Sequence, residues 1–302
     1  MQSHPAPSDA RHRPVLPQEV LNWLDPQPGQ TVVDATVGAG GHSHLIAERL
    51  GPGGRLVGLD RDASMLELAR PSIADCLVTL VHSNFEQLRN VLDGMKVDRV
   101  DAVLADLGFA SDQMDRAERG FSFQVSGPLD MRLDPTERET AADLVGTLKE
   151  TDLADIFWRY GEERFSRRIA RRIVEARNRE PITTTIQLAE LVRRCVPRAG
   201  KIDPATRVFQ ALRIAVNDEL GALERLLADL PKCLRPGGRA VVISFHSLED
   251  RLVKHAFRNR EQWEALTRKP VTASEEEMQS NPRSRSAKLR AARIRQAEAT
   301  PP

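Results

Sequence analysis

The chain has 302 residues and a mass of 33.7 kDa, enough for a large hydrophobic core that needs no disulfides or metals to hold it. Its 44 Lys and Arg against 43 Asp and Glu leave a net charge of +1, which excludes a uniformly basic nucleic-acid coat, and 4% aromatic residues exclude an array of base-stacking platforms. Mean hydropathy is -0.41 and no run approaches the roughly 20 apolar residues of a spanning helix, so the chain reads as soluble and cytoplasmic.

Residues 1–13, rich in Pro, Ser and His with no apolar stretch, read as a disordered leader and not as a signal peptide. Beyond them, short Val- and Leu-rich runs predict strands at 31–35, 55–59, 77–81 and 100–104. Helical patterns such as Ser64–Ala69 lie between them, which is the signature of a parallel sheet with crossover helices. A fifth strand is expected at 239–244, so something is inserted between strands four and five. The insertion, about 111–216, reads as helical. Phe165, Ile169 and Ile173 recur every four positions, with Arg164, Arg167, Arg168, Arg171 and Arg172 filling the rest of that helix. Thr183–Thr185 offers an N-cap for a further helix, which Pro197 closes. Cys76, Cys195 and Cys233 are too far apart for a zinc or redox framework and read as core thiols.

Counted by segment, charge is segregated. Residues 1–110 and 111–160 each sum to -5, 161–215 to +7, 216–250 to -2 and 251–302 to +6. The two basic stretches beside an acidic α/β core point to a face for nucleic acid, although a single such run is more often a solvated helix surface.

The first strand runs into Asp34-Ala-Thr-Val-Gly38-Ala-Gly40-Gly41-His42-Ser43, a Gly-rich turn before a helix, where backbone can approach a ligand and free N–H groups favour polar or anionic groups. Ser43 stands where a dinucleotide fingerprint needs a third small residue, so the nicotinamide reading is imperfect. Asp60 follows Gly38 by 22 residues, the distance at which a carboxylate meets ribose hydroxyls, and the pair implies an adenosine-containing cofactor. Phe85, after the third strand, is placed for an adenine ring or for the core. Asp106 ends the fourth strand, where α/β enzymes place reacting groups. After the fifth strand, Ser247 with Asp250 has the pattern of a capping box, and His246 is open between a site role and a structural one.

Seven runs converge on one family: Asp34–Ser43 (DATVGAGGHS), Asp106–Gln113 (DLGFASDQ), Glu118–Asp134 (ERGFSFQVSGPLDMRLD), Tyr160–Phe165 (YGEERF), Pro204–Leu220 (PATRVFQALRIAVNDEL), Ser244–Arg251 (SFHSLEDR) and Asn281–Arg290 (NPRSRSAKLR). From about Arg13 to Arg295 the chain resembles the bacterial RsmH/MraW family of S-adenosylmethionine-dependent methyltransferases, which modify the N4 amine of a cytidine in the decoding region of small-subunit (16S) rRNA. The resemblance implies a Rossmann-like class I α/β fold. Its catalytic domain is discontinuous (14–110 and 217–296), with a helical substrate-recognition insertion at 111–216 and a tail at 297–302. It also implies that Gly38, Gly40, Gly41 and His42 contact the cofactor, that Asp60 holds its ribose, and that Phe85, Asp106 and Gln113 complete the pocket.

The chain departs from the family at Phe109 and Ala110, where a small aliphatic residue and Ser are usual, and at Asp112, Ser126 and Leu133, so a hydroxyl at position 110 is dispensable if the protein is active. Phe109, three residues after Asp106, matches the spacing of the aromatic in the D-P-P-Y/F motif of DNA amino-methyltransferases, and is expected to stack on the target base or to pack at the hinge of the insertion. Asp106, Phe109 and His246 are thus the catalytic candidates. Arg167, Arg168, Arg171, Arg172, Arg283, Arg285, Lys288 and Arg290 are the expected RNA contacts. The implied partner is small-subunit rRNA, within the assembled subunit, with no membrane. A homodimer stays open, and no cluster has metal-ligand spacing. Two other classes remain at this point: a non-catalytic ribosome-assembly factor and a nicotinamide oxidoreductase.

Overall fold

Strands that are apolar at consecutive positions must be covered on both faces, and this requirement organises the first of two compact units. In the computed structural model, which describes residues 13–108, 113–114, 116–196 and 203–296, the units comprise residues up to 108 with those from 223 onward, and residues 109–222. The leader positions 1–12, the tail 297–302, Pro197 and Phe109–Asp112 lie outside the described residues.

The first unit is built on seven strands: β1 (Thr31–Asp34), β2 (Arg55–Asp60), β3 (Leu77–His82), β4 (Val100–Asp106), β5 (Leu234–Ser244), β6 (Trp263–Ala265) and β7 (Lys288–Ile294). They lie in the order β3-β2-β1-β4-β5-β7-β6. The first five are parallel, while β7 runs antiparallel to β5 and β6 antiparallel to β7. Alternation sorts each strand between two cores. Val33, Val57, Val103 and Val242 face α4 (Leu88–Gly94) and the leucines of α10 (Glu219–Cys233). Val32, Leu56, Leu104, Val241 and Leu289 face α1 (Pro17–Leu24), α2 (Gly41–Leu50) and α3 (Ala63–Ala69).

The five strands read from the sequence are present. The fifth begins at Leu234, earlier than expected, with an irregularity opposite Val100 and Ala102. The last two were not anticipated. The run 281–296 reads as a basic arm by charge alone, yet its second half is a sheet strand whose Leu289 and Ala291 are buried on one face and Arg290 and Ala292 on the other.

The second unit is helical, with α5 (Ala141–Thr147), α6 (Glu150–Gly161), α7 (Ser166–Arg177), α8 (Thr185–Cys195) and α9 (Ala205–Asn217) around Leu153, Phe157, Ile169, Ile173, Leu188, Val208 and Leu212. Thr184 caps α8, its hydroxyl accepting from the Gln187 N–H while the Gln187 side chain reaches back. Phe165 does not belong to the buried stripe. The helix starts one residue later, Ser166 and Ala170 join Ile169 and Ile173 inside, and Phe165 stands at the N-cap with 39% of its surface exposed.

Candidate active site

In this strand order the chain leaves β1 toward β2 and β3, then returns to place β4 on the other side of β1. The crevice beyond the carboxyl ends of β1 and β4 is therefore the switch point at which open α/β sheets bind ligands. Asp34 and Asp106 end those two strands.

Asp34 is fully buried. Its carboxylate accepts from the Ser43 hydroxyl at 2.6 Å and from the Thr36 N–H at 3.1 Å. Burial raises its pKa, against the lowering effect of the Ser43 hydrogen bond and the nearby His42. Ser43, the residue that spoils a dinucleotide fingerprint, thus has a local reason: it ties the first turn of α2 to the end of β1. Thr36 ties the turn to β4, its hydroxyl accepting the Asp106 N–H at 2.6 Å. The sequence marks Ser43 only as a departure from that fingerprint and gives Thr36 no signal beyond its place inside the Gly-rich run.

The glycines are required by geometry at two points. Gly40 is the N-cap of α2 at φ +88°, and a Cβ there would lie 2.9 Å from Ser72 Oγ and 3.0 Å from Ala69 Cβ. Gly38, at φ +51°, has no atom within 4 Å of a would-be Cβ, so open space adjoins the turn. Its N–H donates to Asp60 Oδ2 at 2.8 Å, while Asp60 Oδ1 accepts from the Asp62 N–H at 2.9 Å. Burial pushes the Asp60 carboxyl up to about 6, only partly offset by those two N–H groups.

His42, in the first turn of α2, is buried, and neither ring nitrogen has a hydrogen-bond partner among the described residues. Its Nε2 lies 3.6 Å from Asp106 Oδ2, and Asp106 Oδ1 is likewise without a partner. Unsatisfied buried polar atoms are costly, so three of them in one crevice mark a place built for a polar ligand. Phe85 opens the short turn after β3, half-buried against the core beneath.

His246 takes part in local structure. It is the N-cap of α11 (Ser247–Ala256), its Nδ1 accepting from the Glu249 N–H at 3.4 Å, while Glu249 Oε2 accepts from the N–H of Phe245 at 2.8 Å and of His246 at 3.3 Å. The capping box is His246 with Glu249, one residue earlier than Ser247 with Asp250, and this gives His246 a structural task. Gln113 is buried within the second unit, and Phe109 lies outside the described residues.

The expected RNA contacts divide. Arg167, Arg168, Arg171 and Arg172 are all exposed on α7, with Arg171 3.6 Å from Glu150 and Arg172 2.8 Å from Glu175. Arg285 is exposed, Arg283 and Lys288 are half-buried, and Lys288 lies 3.7 Å from Asp250. Arg290 is corrected: it is buried in β7 with its Nε 2.7 Å from Asp250 Oδ1, which leaves it no free face for a phosphate.

A model of the MraW methylase family matches residues 9–295. A protein of Sorangium cellulosum named ribosomal RNA small subunit methyltransferase H is 51% identical over 293 residues, covering 96% of this chain and 92% of that protein. A protein of the same name from Pelobacter propionicus is 49% identical over 305 residues, covering 93% and 97%. Among solved structures, an rRNA methylase from Streptococcus thermophilus aligns with a TM-score of 0.42 at 10% identity, over 93% of this chain and 94% of that one.

Proposed function

The chain belongs to the MraW methylase family, and from that premise we propose that it transfers a methyl group from S-adenosylmethionine to small-subunit rRNA, at the N4 amine of a cytidine in the decoding region. The observation that carries the reading is the crevice at the ends of β1 and β4, where the unpartnered atoms of His42 and Asp106 meet the open Gly38–Gly40 turn. These groups fit an adenosine-bearing cofactor: the turn offers backbone at close range, and Asp60 offers a carboxylate to ribose hydroxyls. The cofactor supplies an electrophilic methyl group on a sulfonium.

The chain's own residues then have to make a poor nucleophile attack. The lone pair of an exocyclic cytosine amine is delocalised into the ring, and the amine gains nucleophilicity as acceptors take up its hydrogens and the nitrogen pyramidalises. Asp106 Oδ1, without a donor among the described residues, is the acceptor in this reading. The Asp106 carboxylate takes the proton that the amine releases, directly or by way of water. Thr36 fixes the backbone at Asp106, and His42 Nε2 lies 3.6 Å from the other oxygen. Phe109 is proposed to stack on the unpaired base, and the arginines of α7 to hold phosphates.

The test is to incubate unmodified small subunits with labelled S-adenosylmethionine and to digest the rRNA to nucleosides. Label in N4-methylcytidine is expected. Label in adenosine, at cytosine C5, or nowhere would overturn the assignment.

A further inference from the structure

The second unit shows an unexplained surface of its own. Trp158 leaves 58% of its surface exposed and Phe165 39%, two of the few large apolar side chains so placed among the described residues. They sit at one end of the α6–α7 hairpin, Trp158 in the last turn of α6 and Phe165 just before the first residue of α7. The short turn between them is fixed: the Glu163 N–H donates to the Phe157 carbonyl, and buried Glu163 accepts from the Phe165 N–H at 2.8 Å. The two rings are thus held out by a rigid turn, not by a loose loop.

The charge around them is one-sided. Arg159, Arg164, Arg167 and Arg168 are exposed at this same end, and none is paired with a carboxylate among the described residues, in contrast to Arg171 and Arg172 further along α7. The acids on this stretch are Asp155, exposed Glu162 and the buried Glu163. An exposed Trp, an exposed Phe and four unpaired arginines are the two components with which proteins hold single-stranded nucleic acid: flat faces for bases, and cations for the backbone. A protein partner would call for acids to match the arginines and an apolar surface to match the rings together. Unpaired RNA carries both matching features, a phosphate and a π face, in every nucleotide.

We propose that this hairpin end is a docking surface for an unpaired stretch of RNA, with Trp158 and Phe165 stacking on bases while Arg164, Arg167 and Arg168 hold the intervening phosphates. The inference rests on the reading of the chain as an RNA methyltransferase, and it adds aromatic contacts on the second unit to that reading.

Fluorescence tests it directly, because Trp263 is buried and Trp23 half-buried, which leaves Trp158 as the ring open to a ligand. Titration with a short unstructured oligoribonucleotide at low salt is expected to quench the wild-type emission. Trp158→Phe should abolish the quench while retaining most of the affinity. Trp158→Ala and Phe165→Ala should each weaken binding about tenfold, within the range for loss of one stacked base, and raise KM for small subunits with kcat and S-adenosylhomocysteine affinity unchanged. Unchanged melting temperature in Trp158→Ala would tie the loss to the surface and not to the fold. Equal oligonucleotide affinity in wild type and Trp158→Ala would overturn the proposal. So would a variant that loses affinity for complete subunits but not for RNA, since a protein would then be the occupant. Methylation of subunits by the wild type tests the parent reading separately: absence of methylation with an intact Trp158 quench would sink that reading and leave this surface standing.

Discussion

Thr36 fixes Asp106 through its backbone N–H, His42 Nε2 lies 3.6 Å from one carboxylate oxygen, and the other oxygen has no partner among the described residues. An amide at this position keeps the shape but cannot take up a proton. Asp106→Asn is therefore expected to lower the single-turnover rate at saturating cofactor by on the order of 100-fold or more. A rate within a few-fold of wild type would mean that another group accepts the proton. Asp60 makes a pH prediction. Its carboxyl is pushed up to about 6 by burial, so the charged form proposed to accept ribose hydroxyls is depleted as pH falls through that value. Affinity for S-adenosylhomocysteine should hold above pH 7 and fall by about tenfold per pH unit well below 6. In Asp60→Asn it should be weak and flat across the same range, and calorimetry at several pH values reads both. That Asp60 and the Gly-rich turn belong together is legible in the sequence because their spacing along the chain implies it, and the Gly38 N–H does donate to Asp60. The roles of Thr36 and Ser43 are not legible there, because a hydroxyl acquires its meaning from a partner that only the folded crossover brings to it, 70 residues away for Thr36 and Asp106.

At the level of elements, the start of α11 shows how a local signal can point one residue astray. Ser is the stronger N-cap type, and Ser247-Leu-Glu-Asp250 carries the box pattern. The fold selects His246 instead because Glu249 is buried and takes the N–H groups of both Phe245 and His246, and a box starting at Ser247 would leave those donors without it. If capping is the main duty of His246, Asn should replace it well, since its side-chain oxygen is among the best acceptors at this position. His246→Asn is expected to keep near-wild-type methylation and melting temperature, whereas His246→Ala should lose about 1 kcal/mol. Loss of methyl transfer in a fully stable His246→Asn would return the residue to the catalytic set. The two missed strands have a different cause. In Lys288-Leu-Arg-Ala-Ala-Arg-Ile294 the apolar residues are small or interrupted by cations, so charge conceals the period of two. Burial of Leu289, Ala291 and Ala292 against both cores reveals it.

On the scale of the whole chain, near-neutrality arises by cancellation: -5 and -5 over the first 160 residues against +7 over 161–215 and +6 over 251–302. Such a count cannot tell a cation that faces water from one that serves the fold. The C-terminal surplus includes Arg290, buried against Asp250, and Lys288, within 3.7 Å of the same carboxylate. The surplus on α7 includes Arg167 and Arg168, exposed and without acidic partners among the described residues. Equal formal charge should therefore give opposite phenotypes. Replacing Arg167 and Arg168 by Glu should leave melting unchanged and reduce the slope of log affinity for rRNA against log salt by roughly 0.7–0.9 for each phosphate that the variant no longer neutralises. Replacing Arg290 by Met leaves Asp250 only the longer contact to Lys288, and should cost about 2 kcal/mol of stability. In Arg290→Met the salt slope should remain that of the wild type. A shallower slope in Arg290→Met would show that RNA reads the charge of the segment and not its exposure, and an unchanged one in the α7 double variant would show that these arginines do not meet phosphates.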